Sequence, residues 1–129
     1  MDRTRARLLT FGVLMFLTSS WAAKADDAVS ATAPAYYIAD FEVADREAIK
    51  PYSANVEASF KPFGGRFIVR GADPVSLEGL QPKGRLVIIQ FDSLEKAQAW
   101  YNSPAYSELR PIRHKAGTSN VYILQGLAR

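Results

Sequence analysis

Arg66 and Arg70 stand four apart on a short apolar stretch, Arg66-Phe67-Ile68-Val69-Arg70. On a strand, that spacing puts both guanidinium groups on one face, where they could grip a small anion, because a guanidinium pairs a carboxylate in a forked geometry. Asp40 and Glu42 can share the same sheet surface, so pairing between strands or across subunits is the structural alternative. Arg113 joins the set if its helix end reaches the same place. Trp100, Tyr101 and Tyr106 could line an apolar pocket, with tyrosine hydroxyls fixing a ligand; simple core packing is the competing role, above all for Tyr101. His114 is the sole histidine and the only side chain whose ordinary pKa lies near neutrality. It and Asp40 are the candidate general bases. A surface position between Arg113 and Lys115 is the plainer reading of His114. Ser103 precedes Pro104 and reads as a helix cap rather than a nucleophile.

Several chemistries are excluded or unsupported. With no cysteine there are no disulfides, thiolate metal sites or cysteine nucleophiles. One histidine among scattered carboxylates makes no metal site, and no cofactor is expected. Gly64-Gly65 follows a helix rather than opening one, so it is not a phosphate loop.

The elements that must position these residues follow from periodicity. Residues 35–43 alternate with period two and predict a first strand. Ile38, Asp40 and Glu42 fall on one face of it, Tyr37, Ala39, Phe41 and Val43 on the other. Asp45 can cap a helix whose face carries Ile49, Tyr52, Val56, Phe60 and Phe63. Pro51 should bend its first turns or delay its start, and Gly64-Gly65 stops it. Residues 66–70 predict a second strand, 71–84 a connection rich in Gly and Pro, and 85–91 a third, apolar strand. Asp92 or Ser93 caps a second helix with Leu94, Ala97, Gln98 and Tyr101 inward; Asp92 with Glu95 fits a capping box. Ser103-Pro104 opens a further helix with Tyr106, Leu109 and Arg113 on one face. Pro111 should shorten it, and residues 120–125 predict the last strand.

The resulting order is the split βαβ, ferredoxin-like pattern of the α+β class, a four-stranded antiparallel sheet with helices on one face. The other face would be bare and half apolar, with Arg66, Ile68, Arg70, Leu86, Ile88 and Gln90 on it. Leaving it in water costs about 25 cal/mol per Å², so a homodimer joined through sheet faces is expected. The face of the fourth strand is not fixed by pattern.

The chain opens with a different kind of segment. Arg3, Arg5 and Arg7 precede an apolar run from Leu8 to Leu17, and small residues lead to Ala23-Lys24-Ala25. That order predicts a secretory signal peptide, residues 1–25, cleaved after Ala25. Its apolar core is about half the length a membrane span needs, so no stable membrane anchor is expected after cleavage. The expected location is outside the cytoplasm: the periplasm or the extracellular space if the chain is bacterial. Residues 26–34 are small and polar and read as a disordered lead-in; residues 35–129 form one domain. The formal charge is +3. Removing Arg3, Arg5, Arg7, Lys24 and Asp2 with the signal leaves 12 basic and 12 acidic residues. A balanced chain gives no support for a nucleic-acid partner.

Taken together, Tyr37-Ile38-Ala39, Phe63-Gly64-Gly65-Arg66-Phe67, Val69-Arg70-Gly71, residues 87–91, Trp100-Tyr101-Asn102-Ser103-Pro104-Ala105-Tyr106, Arg113 and Gln125-Gly126 resemble domain-of-unknown-function family 1330, within the dimeric α+β barrel superfamily. The resemblance spans roughly residues 35–126. It implies a ferredoxin-like subunit and a homodimer, and it implies no established activity. Lys50-Pro51 and His114 depart from the usual pattern. The leading expectation is an exported, homodimeric protein that binds a small organic ligand, anionic or aromatic, in a pocket between sheet and helices, through Arg66, Arg70, Tyr101, Tyr106 and Arg113. The alternatives are a cofactor-independent isomerase or monooxygenase using His114 or Asp40 as base, and a structural or assembly protein without ligand.

Overall fold

A computed structural model describes residues 33–129. The expected signal peptide, and the lead-in as far as residue 32, lie outside the described residues. The elements run β1 (Ala35–Val43), α1 (Lys50–Phe60), a 3-10 turn (Lys61–Phe63), β2 (Arg66–Ala72), β3 (Arg85–Phe91), α2 (Leu94–Tyr101), α3 (Pro104–Ala116) and β4 (Gly117–Gln125). The four strands form one antiparallel sheet in the order β2-β3-β1-β4. The domain is α+β and ferredoxin-like, as its pattern predicts.

Alternation in β1 decides where the core sits. Ala35, Tyr37 and Ala39 are buried against the helices, and their register partners Phe91, Ile89 and Val87 line up beside them. Trp100 is the centre of this layer. It is fully buried, stacks on Phe91 with ring centroids 5.3 Å apart, and meets Tyr106 at 4.1 Å. Its indole N–H donates to Ser59 Oγ at 3.0 Å, which resolves the one polar atom a buried tryptophan brings. On β4 the inward residues are Val121 and Ile123, paired with Ala39 and Tyr37, so Tyr122 and Leu124 face out.

The local chemistry at helix ends departs from expectation in a few places. The Asp45 carboxylate accepts the N–H groups of Glu47 and Ala48, but α1 proper starts only at Lys50, with Pro51 in its first turn. Ile49 is therefore the N-cap, and Phe63 belongs to the 3-10 turn. Ser93, not Asp92, caps α2 by accepting from Lys96 N–H at 3.2 Å. Asp92 instead pairs with the Lys96 ammonium at 3.1 Å on the surface. The inward positions of α2 are Ala97 and Trp100; Gln98 is exposed and Tyr101 half-buried. Ser103 caps α3 as expected, accepting from Tyr106 N–H and donating to the Trp100 carbonyl at 2.7 Å. Pro111 does not shorten α3, which continues to Ala116. Pro111 sits on an exposed position, where the carbonyl that loses its N–H partner can turn to water. β4 accordingly begins directly at Gly117.

The larger correction concerns β2. Phe67 pairs with Ile89, but Val69 pairs with Ile88 and Arg70 with Val87. Ile68 is thus an extra residue, a β-bulge that reverses the alternation. Arg66 and Arg70 leave the sheet on opposite faces. Arg66 stays on the bare face and donates to Gln90 Oε1 at 3.1 Å. Arg70 is turned to the helix face, where it lies 4.6 Å from the Phe67 ring centroid and 3.6 Å from the Glu57 carboxylate of α1. A second irregularity falls at Gly71, whose φ of 67° is the left-handed conformation that glycine accepts without strain.

The bare face is apolar along its centre. Ile38 pairs with Ile88 on one side and Tyr122 on the other. Tyr122, Leu124 and Ile68 are each about half exposed.

Candidate functional site

α1 rests on α3 and stands away from the sheet edge, and a cleft of about 1110 Å³ opens between them. The floor is the inward face of the sheet, Tyr37, Ala39, Val87 and Ile89 with Phe67. One wall is α1, through Ile49, Tyr52, Ser53 and Val56. The opposite wall is the connection after β2, through Asp73, Pro74 and residues 81–84. The charged lining residues are Arg46, Arg70, Lys83, Arg85 and Arg113 against Glu42 and Asp73, and Asp73 lies 3.7 Å from Arg85. The cleft is apolar below and net positive above.

Arg113 is the unusual member. It is only 3 % exposed, yet no carboxylate lies within ion-pair reach of it among the described residues. One terminal nitrogen donates to Ser119 Oγ, the other lies 3.4 Å from His114 Nε2, and Nε has no partner. Burial works against its charge, and the oxygens of Tyr37, Tyr106 and Tyr52 outweigh that, holding the guanidinium charged above its ordinary range. A buried cation without a counter-ion costs several kcal/mol of desolvation in a typical interior.

Beside it, three tyrosine hydroxyls form a chain. Tyr106 Oη is 3.2 Å from Tyr37 Oη and 3.1 Å from Tyr52 Oη. Burial, reinforced by the neighbouring tyrosines, pushes the Tyr37 and Tyr52 hydroxyls far above the usual phenol range, so both stay protonated. The chain is built from three elements: the second inward position of β1, the inward face of α1, and the first turn of α3, where the Ser103 cap fixes Tyr106.

Of the residues expected to form the site, Arg70 and Arg113 line the cleft, and Tyr106 stands behind it, joined through its hydroxyl. Tyr101 lies on the far side of Arg113, in a shallow depression of about 450 Å³ with His114, Thr118 and Ser119. Its ring is covered by the Arg110 guanidinium at 4.7 Å. Arg66 is on the opposite sheet face. Asp40 is there too, and its carboxylate accepts the Gly84 N–H at 2.8 Å. Trp100 is core, not lining. Tyr37 and Tyr52 are the additions. Both were legible as inward positions; what marks them out is that a buried phenol needs a hydrogen-bond partner.

The fold and a cleft on the helix face of the sheet define an α+β, ferredoxin-like subunit with a polar-rimmed pocket. The chain belongs to the DUF1330 family, a domain of unknown function, whose pattern matches residues 34–127. No curated protein is significantly similar to it in sequence. Among solved structures it is similar to a protein of unknown function from Rhodopseudomonas palustris, at 20% identity and a TM-score of 0.60, over 75% of this chain and 85% of that one. It is also similar to SnoaB, a cofactor-independent oxygenase from Streptomyces nogalater, at 16% identity and a TM-score of 0.54, over 76% of this chain and 95% of that one. At these identities the likeness is one of fold.

Proposed function

We propose that the protein binds a small organic anion in the cleft between α1 and the sheet, with Arg113 as the anchor. The observation that carries this is a buried guanidinium on the lining of the cleft with no carboxylate of its own among the described residues. A bound carboxylate would complete it, and the apolar floor would take the ligand's body. Calorimetric titration with simple aryl and alkyl carboxylates tests the reading. Saturable binding that is lost in Arg113→Met supports it; absence of heat across the panel at millimolar concentration overturns it.

The working unit in this reading is a homodimer joined through the bare sheet faces. Ile38, Ile88, Tyr122 and Leu124 supply the apolar centre, and the barrel-type fold supports self-association. The segment ahead of residue 26 directs export in the same reading, on the strength of its basic, apolar, small-residue order.

A second reading is a cofactor-independent oxygenase or isomerase. The hydroxyl chain beside the cleft and the fold shared with SnoaB favour it. Neither base expected for it lies in the cleft: Asp40 is on the other sheet face, and His114 is behind Arg113. A ligand-free structural role is disfavoured by the size of the cleft.

A further inference from the structure

Three hydroxyls carry three protons, and the two contacts at Tyr106 use two of them. The third has three possible owners. Left on Tyr37, it would sit in the cleft floor on a side chain only 1 % exposed. Left on Tyr106, it would be stranded on a fully buried side chain. Of the three, Tyr52 alone is part-exposed, and it stands on the wall of the cleft. Because a stranded buried donor is costly, the chain runs in one direction: Tyr37 donates to Tyr106, Tyr106 donates to Tyr52, and Tyr52 donates outward.

We infer that the cleft is built for an oxo carboxylate with an apolar body: the carboxylate on Arg113, a carbonyl oxygen on the Tyr52 hydroxyl, and the body against Ile49, Val56, Phe67 and Val87. This rests on the anion reading above and adds the second contact. Tyr52 accepts from Tyr106 and keeps its own proton to give, so it meets the ligand as a donor and favours an acceptor. The arginines and lysine around the cleft oppose an ammonium group, so the matching amino acid is rejected. A simple carboxylate satisfies Arg113 but leaves the Tyr52 proton without a protein or ligand partner.

Three probes with one skeleton separate these contacts: phenylpyruvate, 3-phenylpropionate and phenylalanine, each titrated calorimetrically into the wild-type protein, Tyr52→Phe and Tyr106→Phe. One good hydrogen bond is worth roughly tenfold in affinity, so wild type should bind phenylpyruvate about that much more tightly than 3-phenylpropionate, with phenylalanine not binding. Tyr52→Phe should erase the preference, so that it binds phenylpyruvate and 3-phenylpropionate equally. Tyr106→Phe should reduce the preference, because Tyr52 loses the donor that orients it. Equal binding of the two acids in wild type, or a preference that survives in Tyr52→Phe, overturns the oxo-acid assignment and leaves the anion site standing. Failure of both acids to bind overturns the anion site itself. Melting curves of both variants establish that they are folded.

Discussion

Replacing Arg113 by methionine should uncouple stability from binding. Methionine keeps the length of the side chain and removes the charge. On the stability side, the change relieves an unpaired buried Nε, worth about 1–3 kcal/mol. It sacrifices the charge-assisted bond to Ser119, at about 1.5–3 kcal/mol. The two nearly cancel. A buried arginine that held the fold together would behave otherwise: truncating one partner of a buried pair costs about 3–5 kcal/mol. For a domain of this size 1 kcal/mol moves Tm by roughly 4–8 °C, so scanning calorimetry separates the cases. The expected Tm of ligand-free Arg113→Met is within a few degrees of wild type. On the binding side, hydrogen bonds to a charged group are worth about 1.5–3 kcal/mol, so the variant's affinity for 3-phenylpropionate should fall roughly ten- to a hundredfold. A Tm drop beyond about 10 °C would refute the reasoning, since it would make Arg113 part of the framework.

Other outcomes follow from neighbouring features. Trp100→Ala should cost about 3–5 kcal/mol, read by urea denaturation, because it empties the centre of the aromatic layer. Gly117→Ala should destabilise by about 1–3 kcal/mol, since a Cβ there would stand 2.0 Å from the Glu42 carbonyl oxygen. For the homodimer proposed above, Tyr122→Glu on the bare face should shift the sedimenting species from two subunits to one in analytical ultracentrifugation and lower the apparent Tm accordingly. In alkali, Tyr37 and Tyr52 hold their protons in the folded state above the unfolded value of about 10. Their contribution to stability is therefore complete below pH 10 and lost progressively above it. Tyrosinate absorbance should show these two ionising only with unfolding.

Most of the architecture could be read from the chain because it rests on short-range regularities. The period of two in residues 35–43, the Ser103-Pro104 start of α3 and the Gly64-Gly65 stop are local signals, and the sheet order follows from their sequence. The site was less legible. Arg66 and Arg70 share a face only in an unbroken strand, and a single bulge at Ile68 divides them; nothing in Phe-Ile-Val announces where the extra residue falls. Pro111 removes one backbone hydrogen bond and crowds the preceding turn, but on the solvent side the freed carbonyl can turn to water and the helix runs on. Tyr101 and Trp100 exchanged roles because the rotation of an eight-residue helix is set by what packs against it, here Phe91 and Tyr106. Tyr37, Tyr52 and Tyr106 come from positions far apart in the chain, so their hydroxyl chain exists only once β1, α1 and α3 are assembled. Arg113 was visible as a member of an inward face, but its lack of a counter-ion is a property of the whole fold.

The central claim is that Arg113 holds the ligand's anion, and its own side-chain resonance tests that most directly. In a nitrogen–proton correlation spectrum, the Arg113 Nε–H signal, assigned by its absence in Arg113→Met, should move saturably as 3-phenylpropionate is added. An Arg113 signal that stays in place while other resonances shift would put the anion elsewhere and contradict the account.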